Sequence, residues 1–186
     1  MKIYIQNMVC RRCIMAVQSE LEKIGLHWTS IELGEVVLPG KVSGYQLKTL
    51  NDNLKKAGLE LIDDKKSILV ESVKTLIIKL VHNQDCQIKV NLSDYLTEIT
   101  QHNYTYLSNI FSEVKGITIE RFYLMHKIEK AKELLVYNEL NLTEIADKLN
   151  YSSVAHLSNQ FKKMTGLTPS HFKNLRHKKR FMLEDL

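Results

Sequence analysis

Proline is nearly missing: Pro39 and Pro169 are the only two in 186 residues. Neither is placed where a thiol-redox fold would keep a proline opposite paired cysteines. Cysteine is scarce and odd in number, at three, with only Cys10 and Cys13 close together. That excludes a disulfide framework and suits a reducing compartment. No stretch approaches the roughly 20 apolar residues that span a bilayer, and the N-terminus reads as a strand instead of a charged head followed by a signal core. The chain is expected to stay in the cytoplasm, away from membranes. Glycine, at seven residues, forms no phosphate-cradling loop and no nucleophile elbow, and the seven histidines are scattered. An enzyme is not expected.

What is present is ordinary soluble composition, 44% hydrophobic and 25% charged, in a length that allows two small domains. The net charge of +5 is unevenly placed. Residues 162–180 carry Lys162, Lys163, Lys173, Arg176, Lys178, Lys179 and Arg180 with no acid. Alone, such a run reads as a solvated tail; beside a nucleic-acid-binding fold it reads as phosphate contact.

Such a fold is written in the C-terminal half. Thr143 can cap a short helix with Glu144 in its first turn and Ile145, Ala146 and Leu149 on one face. After a break at Asn150-Tyr151-Ser152-Ser153, Leu157, Phe161 and Met164 recur at helical spacing, Gly166 closes the helix, and Thr168-Pro169-Ser170 opens another. Two short helices, a tight turn and a polar face on the second make a helix-turn-helix. The pattern recurs fifty positions earlier: Leu92-Ser93-Asp94 answers Leu142-Thr143-Glu144, Leu107-Ser108-Asn109 with Phe111 answers Leu157-Ser158-Asn159 with Phe161, and Gly116 and Thr118 answer Gly166 and Thr168. With a joining helix through Ile128, Ala131, Leu134 and Leu135, residues from about 70 to 178 resemble the DNA-binding domain of AraC/XylS-type transcription regulators. The resemblance implies an all-α domain of two helix-turn-helix units joined by a long helix, double-stranded DNA as partner, contact with RNA polymerase, and action as a monomer or weak dimer. Asn150 departs from the family's usual glycine, and Asn109 and Asn159 from its frequent arginine.

The N-terminal third reads βαββαβ. Ile3 and Ile5 alternate with polar residues in a first strand; Ile14, Val17, Leu21 and Ile24 share a helix face closed by Gly25; two strands break at Gly34-Glu35; a helix from about Ser43 to Ala57 presents Leu47, Leu50 and Leu54; Leu59, Leu61 and Ile62 form a last strand. With Met8-Val9-Cys10-Arg11-Arg12-Cys13 in the first loop, residues 1–66 resemble heavy-metal-associated domains, which implies an α+β ferredoxin-like fold. The polar stretch Asp63-Asp64-Lys65-Lys66-Ser67 marks the boundary with a second domain over 67–186, opened by an amphipathic helix through Leu69, Val73, Leu76, Ile77 and Leu80. A loop is expected from His82 to Gln87, with Cys86 an incidental thiol.

For base reading the candidates are Tyr104, Thr105, Ser108 and Asn109 on the first recognition helix and Val154, Ala155, Ser158 and Asn159 on the second. Asparagine pairs with adenine, and valine, alanine or the threonine methyl touch the thymine methyl, which suits A·T-rich sequence. The bland alternative is that these are solvated helix residues. Lys162, Lys163, Lys173 and Arg176 are candidates for phosphate contact. Cys10 and Cys13 lie where a strand hands over to a helix. The helix dipole and adjacent arginines should lower both thiols and favour a soft ion, Cu(I) first and zinc second. A thiol-redox pair, or idle cysteines in a docking module, stay open beside that reading. So does a metal carrier whose C-terminal helices dock a partner protein.

Overall fold

A computed structural model describes residues 1–82, 91–137 and 140–174. Arg176, Cys86 and most of the expected His82–Gln87 loop therefore lie outside the described residues. The chain divides into two compact units, Met1–Leu76 with Leu96–Val114, and Ile77–Tyr95 with Lys115–Leu186.

The first unit opens with β1 (Lys2–Gln6), α1 (Arg11–Lys23), β2 (Ser30–Glu32), β3 (Glu35–Val37), α2 (Gly44–Lys56) and β4 (Glu60–Ile62). The strands form one antiparallel sheet in the order β2-β3-β1-β4, with Ile3 opposite Val36 and Ile5 opposite Leu61. Alternation along β1 buries Ile3 and Ile5, which join Val17 and Leu21 of α1, Leu50 and Leu54 of α2, and Val36 in one core. α1 ends where Gly25 takes φ +68° and Leu26 N–H returns to the Leu21 carbonyl at 2.9 Å, a left-handed stop that a Cβ would strain. Ser43 caps α2 reciprocally with Gln46, an arrangement that stabilises a helix end by about 1 kcal/mol.

Met8, which fits a metal-binding loop by position, is 1% exposed and belongs to this core, so packing removes it from any ligand set. The polar stretch at Asp63–Ser67 is not a free linker. Asp64 accepts the Ser67 N–H at 2.7 Å, and α3 (Lys65–His82) has already begun. α3 differs from the expected single apolar face: Val70, Ile78 and Val81 are buried while Leu69 and Leu76 are half-exposed, and Glu71 and Lys74 are buried as an ion pair. The helix contributes Lys65–Leu76 to the first unit and Ile77–His82 to the second.

The helices α4 (Leu92–Thr100), α5 (Tyr104–Lys115), α6 (Ile119–Tyr137), α7 (Leu142–Lys148), α8 (Val154–Thr165) and α9 (Pro169–Asn174) follow. Leu92 and Leu142, Tyr104 and Val154, and Ile119 and Pro169 begin corresponding helices, so the fifty-residue repeat holds element by element. In the second unit, Ile128, Ala131 and Leu135 of α6 pack with Ile145 and Ala146 of α7, Leu157 and Phe161 of α8, and Phe172 of α9.

Candidate nucleic-acid interface

Asn141, not Thr143, caps α7. Its side chain accepts the Thr143 and Glu144 amides at 2.9 and 3.0 Å, and the Glu144 carboxylate accepts the Asn141 N–H at 2.7 Å. A reciprocal cap needs its acid three residues on, a spacing that Asn141 meets and Thr143 does not. The turn that follows bends through Asn150 at φ +51°, a conformation asparagine tolerates better than most side chains. Ser153 then caps α8 by accepting the His156 N–H at 3.1 Å, and Gly166 at φ +78° ends it.

Beneath the turn lies a cation that the sequence did not reveal. The Lys127 ammonium of α6 sits 3.9 Å from the Tyr151 ring centre and 5.2 Å from that of Tyr123, and donates to the Asn150 carbonyl at 3.4 Å. Burial pushes its pKa down to about 8. Between that value and the ordinary 10.5 the unfolded chain binds the proton that the folded one releases, so stability rises with pH there. Below pH 8 both states are charged and this slope vanishes. Unfolding free energy is expected to rise by about 2 kcal/mol from pH 8 to 10 relative to Lys127→Met, read from urea melts. Above pH 10 burial of the Tyr151 phenol, which raises its pKa, gives the opposite slope.

On α8, Leu157 and Phe161 are buried while Ala155, His156, Asn159, Lys162 and Lys163 are exposed and Ser158 is half-buried. α5 repeats this in register: Leu107 and Phe111 are buried, Thr105, Tyr106 and Asn109 exposed, and Tyr104 and Ser108 half-buried. Val154 is half-buried and packs against the second unit's core, which leaves only part of its surface outward. Lys173 is exposed on α9. One feature of α8 escaped the sequence reading. His156 is bracketed by Ser152, whose hydroxyl lies 3.1 Å from Nδ1, and by Gln160, whose Nε2 lies 3.4 Å from the ring's Nε2. At the same two positions of the first repeat His102 and Tyr106 stack with ring centres 5.5 Å apart. Pairing at 102/106 and 152/156 is a signal that sliding the sequence by fifty could have exposed.

Cys10 is the N-cap of α1, and its sulfur lies 3.6 Å from that of Cys13. The thiols diverge instead of both falling. Burial raises Cys10, but bonds from Cys13 and Arg12 outweigh it and leave the thiol below its ordinary value. Burial, the largest influence on Cys13, leaves that thiol raised. Among the described residues no group of three or more His, Cys, Asp or Glu side chains is placed to hold a metal ion. No described helix is long and apolar enough to cross a membrane.

Residues 96–175 match the helix-turn-helix domain family. The chain is 28% identical over 145 residues to the uncharacterized HTH-type transcriptional regulator YtdP of Bacillus subtilis, a match covering 74% of this chain and 18% of that protein. It is 26% identical over 182 residues to the xylose operon regulatory protein of Escherichia coli K12, covering 88% of this chain and 44% of that protein. The chain thus spans less than half the length of either curated relative. Among solved structures it is similar to the C-terminal domain of AraT, a response regulator from Geobacillus stearothermophilus, with TM-score 0.53 and 25% identity over 64% of this chain and 94% of that one. The paired helices, the positive-φ turn and these matches converge: over residues 96–175 the C-terminal half of the chain carries a helix-turn-helix domain of the AraC type.

Proposed function

We propose that this chain is a sequence-specific DNA-binding regulator of transcription, reading base edges with the exposed faces of α5 and α8. The observation that carries the reading is the repeated burial pattern. In both helices a buried leucine and phenylalanine anchor one side and an exposed asparagine occupies the other, at Asn109 and Asn159. A solvated helix has no need to repeat this register fifty residues on. Thr105, Ala155, Ser158 and the bracketed His156 join the reading surface, with Tyr104, Ser108 and Val154 at its edge. Lys162, Lys163 and Lys173, with Arg176 beyond the described residues, hold phosphates.

Selection from randomised duplexes tests this. Asn159→Ala is expected to relax preference at one base pair by about 1–3 kcal/mol and leave other positions unchanged. Lys162→Ala should weaken every sequence alike and lower the slope of log K against log salt by roughly 1. An Asn159 variant with unaltered preference would remove that residue from the surface.

The N-terminal βαββαβ order, with its sheet order β2-β3-β1-β4, supports a ferredoxin-like input domain ending near residue 66. Its Cys10–Cys13 pair is read as a thiol switch. The sulfurs are close, and one lowered and one raised thiol suit an attacking and a resolving cysteine. Two thiols also fit a soft monovalent ion such as Cu(I), whereas zinc takes four ligands and the described residues group fewer than three.

A further inference from the structure

The loop that leads from β1 into the two cysteines is gripped by α3. Asn7, at φ +67°, is held at both of its backbone groups: its N–H donates to Glu71 Oε1 at 2.8 Å, and its carbonyl accepts the Cys13 thiol at 3.9 Å. Its side-chain amide donates to the Gly58 carbonyl at 3.2 Å, so the residue has little room to turn. Glu71 is itself fixed. It is 5% exposed, and Lys74, 7% exposed, donates to both carboxylate oxygens at 3.0 and 2.9 Å. A left-handed asparagine persists only where its surroundings over-determine it, and here thiol and carboxylate are two of the constraints.

We propose that Glu71 couples the state of the Cys10–Cys13 pair to α3: joining the two sulfurs withdraws Cys13 from the Asn7 carbonyl, shifts Asn7, and weakens the bond by which α3 holds the loop. This rests on the thiol reading above. The oxidant is a low-molecular-weight disulfide. The Cys10 thiolate attacks one of its sulfurs and expels one thiolate; Cys13, losing its proton, attacks the Cys10 sulfur of the mixed disulfide and expels the second. Two electrons pass to the oxidant, which leaves as one thiol carrying the Cys13 proton and one thiolate, and the Cys10–Cys13 bond forms. The sulfurs close from 3.6 Å to about 2.05 Å, and the Cys13 sulfur, having given up its proton, no longer donates to the Asn7 carbonyl. The helix that feels this supplies Ile77–His82 to the other unit, which holds the second helix-turn-helix.

Amide hydrogen exchange on the full chain, reduced and after oxidised glutathione, tests the coupling, with disulfide formation read from mass. In the oxidised wild type, exchange at the Asn7 amide and across Lys65–Leu76 is expected to rise about tenfold or more, as for loss of one hydrogen bond to a charged group. Glu71→Gln, which keeps an acceptor oxygen, should retain the response. Glu71→Leu with Lys74→Met should form the disulfide yet show no oxidation-dependent change in α3. A disulfide without change in wild-type exchange overturns the coupling alone, as does a double variant that responds like wild type. Failure of the disulfide to form overturns the thiol reading and the coupling with it.

Discussion

Cutting Phe161 back to alanine is expected to cost about 3–5 kcal/mol. Its ring is fully buried, and it meets Phe172 edge-on with ring centres 5.4 Å apart at 70°. Around it stand Leu157, Ile145, Ala146 and Ile128, drawn from three helices. Alanine therefore opens a cavity that no single helix can close by shifting. Against a domain stability of about 5–15 kcal/mol that is a large share, and the expected result is a much lower urea midpoint with binding lost to every sequence. Asn159→Ala, two residues away on the exposed face, should leave the midpoint within about 0.5 kcal/mol. A Phe161 variant that kept its midpoint would mean that α8 is anchored by something other than this ring. The matching residue, Phe111, is also fully buried, and Phe111→Ala is expected to be similarly costly within the first unit.

Much of this was legible because it repeats. Burial alternates identically through 104–109 and 154–159, and a pattern found twice separates packing from accident more sharply than either copy alone. The positive φ of +51° at Asn150 was not read from the sequence, where the residue stood only as a departure from the family's pattern. What escaped were contacts between residues distant in sequence, or charges in unexpected places. Lys127 and Tyr151 are 24 positions apart, so no spacing rule joins them. Glu71 and Lys74, at i and i+3, look like a solvated helix face, yet both are buried. Met8 sits beside Cys10 in the chain, but the pleat of β1 and the turn at Asn7 send it into the core. The two thiols differ for a local reason as well. Bonds from Cys13 and Arg12 lower the Cys10 thiol, and burial raises that of Cys13.

Glu71→Ala should be the most destabilising change in the N-terminal unit outside its apolar core, by about 3–5 kcal/mol. Two penalties combine. Lys74, 7% exposed, is left buried without the carboxylate that it contacts through both oxygens. The Asn7 N–H loses its acceptor at a residue already in a strained conformation. The two are separable. Glu71→Leu with Lys74→Met removes the cation along with the anion at similar volume, so the penalty of the stranded ammonium should vanish while the Asn7 penalty, about 1–2 kcal/mol, remains. The double variant is therefore expected to be more stable than the single one, an inversion that urea midpoints at unchanged m would reveal. Equal losses in both would place the whole cost on the Asn7 bond and none on the stranded ammonium. A double variant less stable than Glu71→Ala would mean that the pair itself contributes net stability in its buried site, contrary to the usual balance between desolvation and Coulomb attraction.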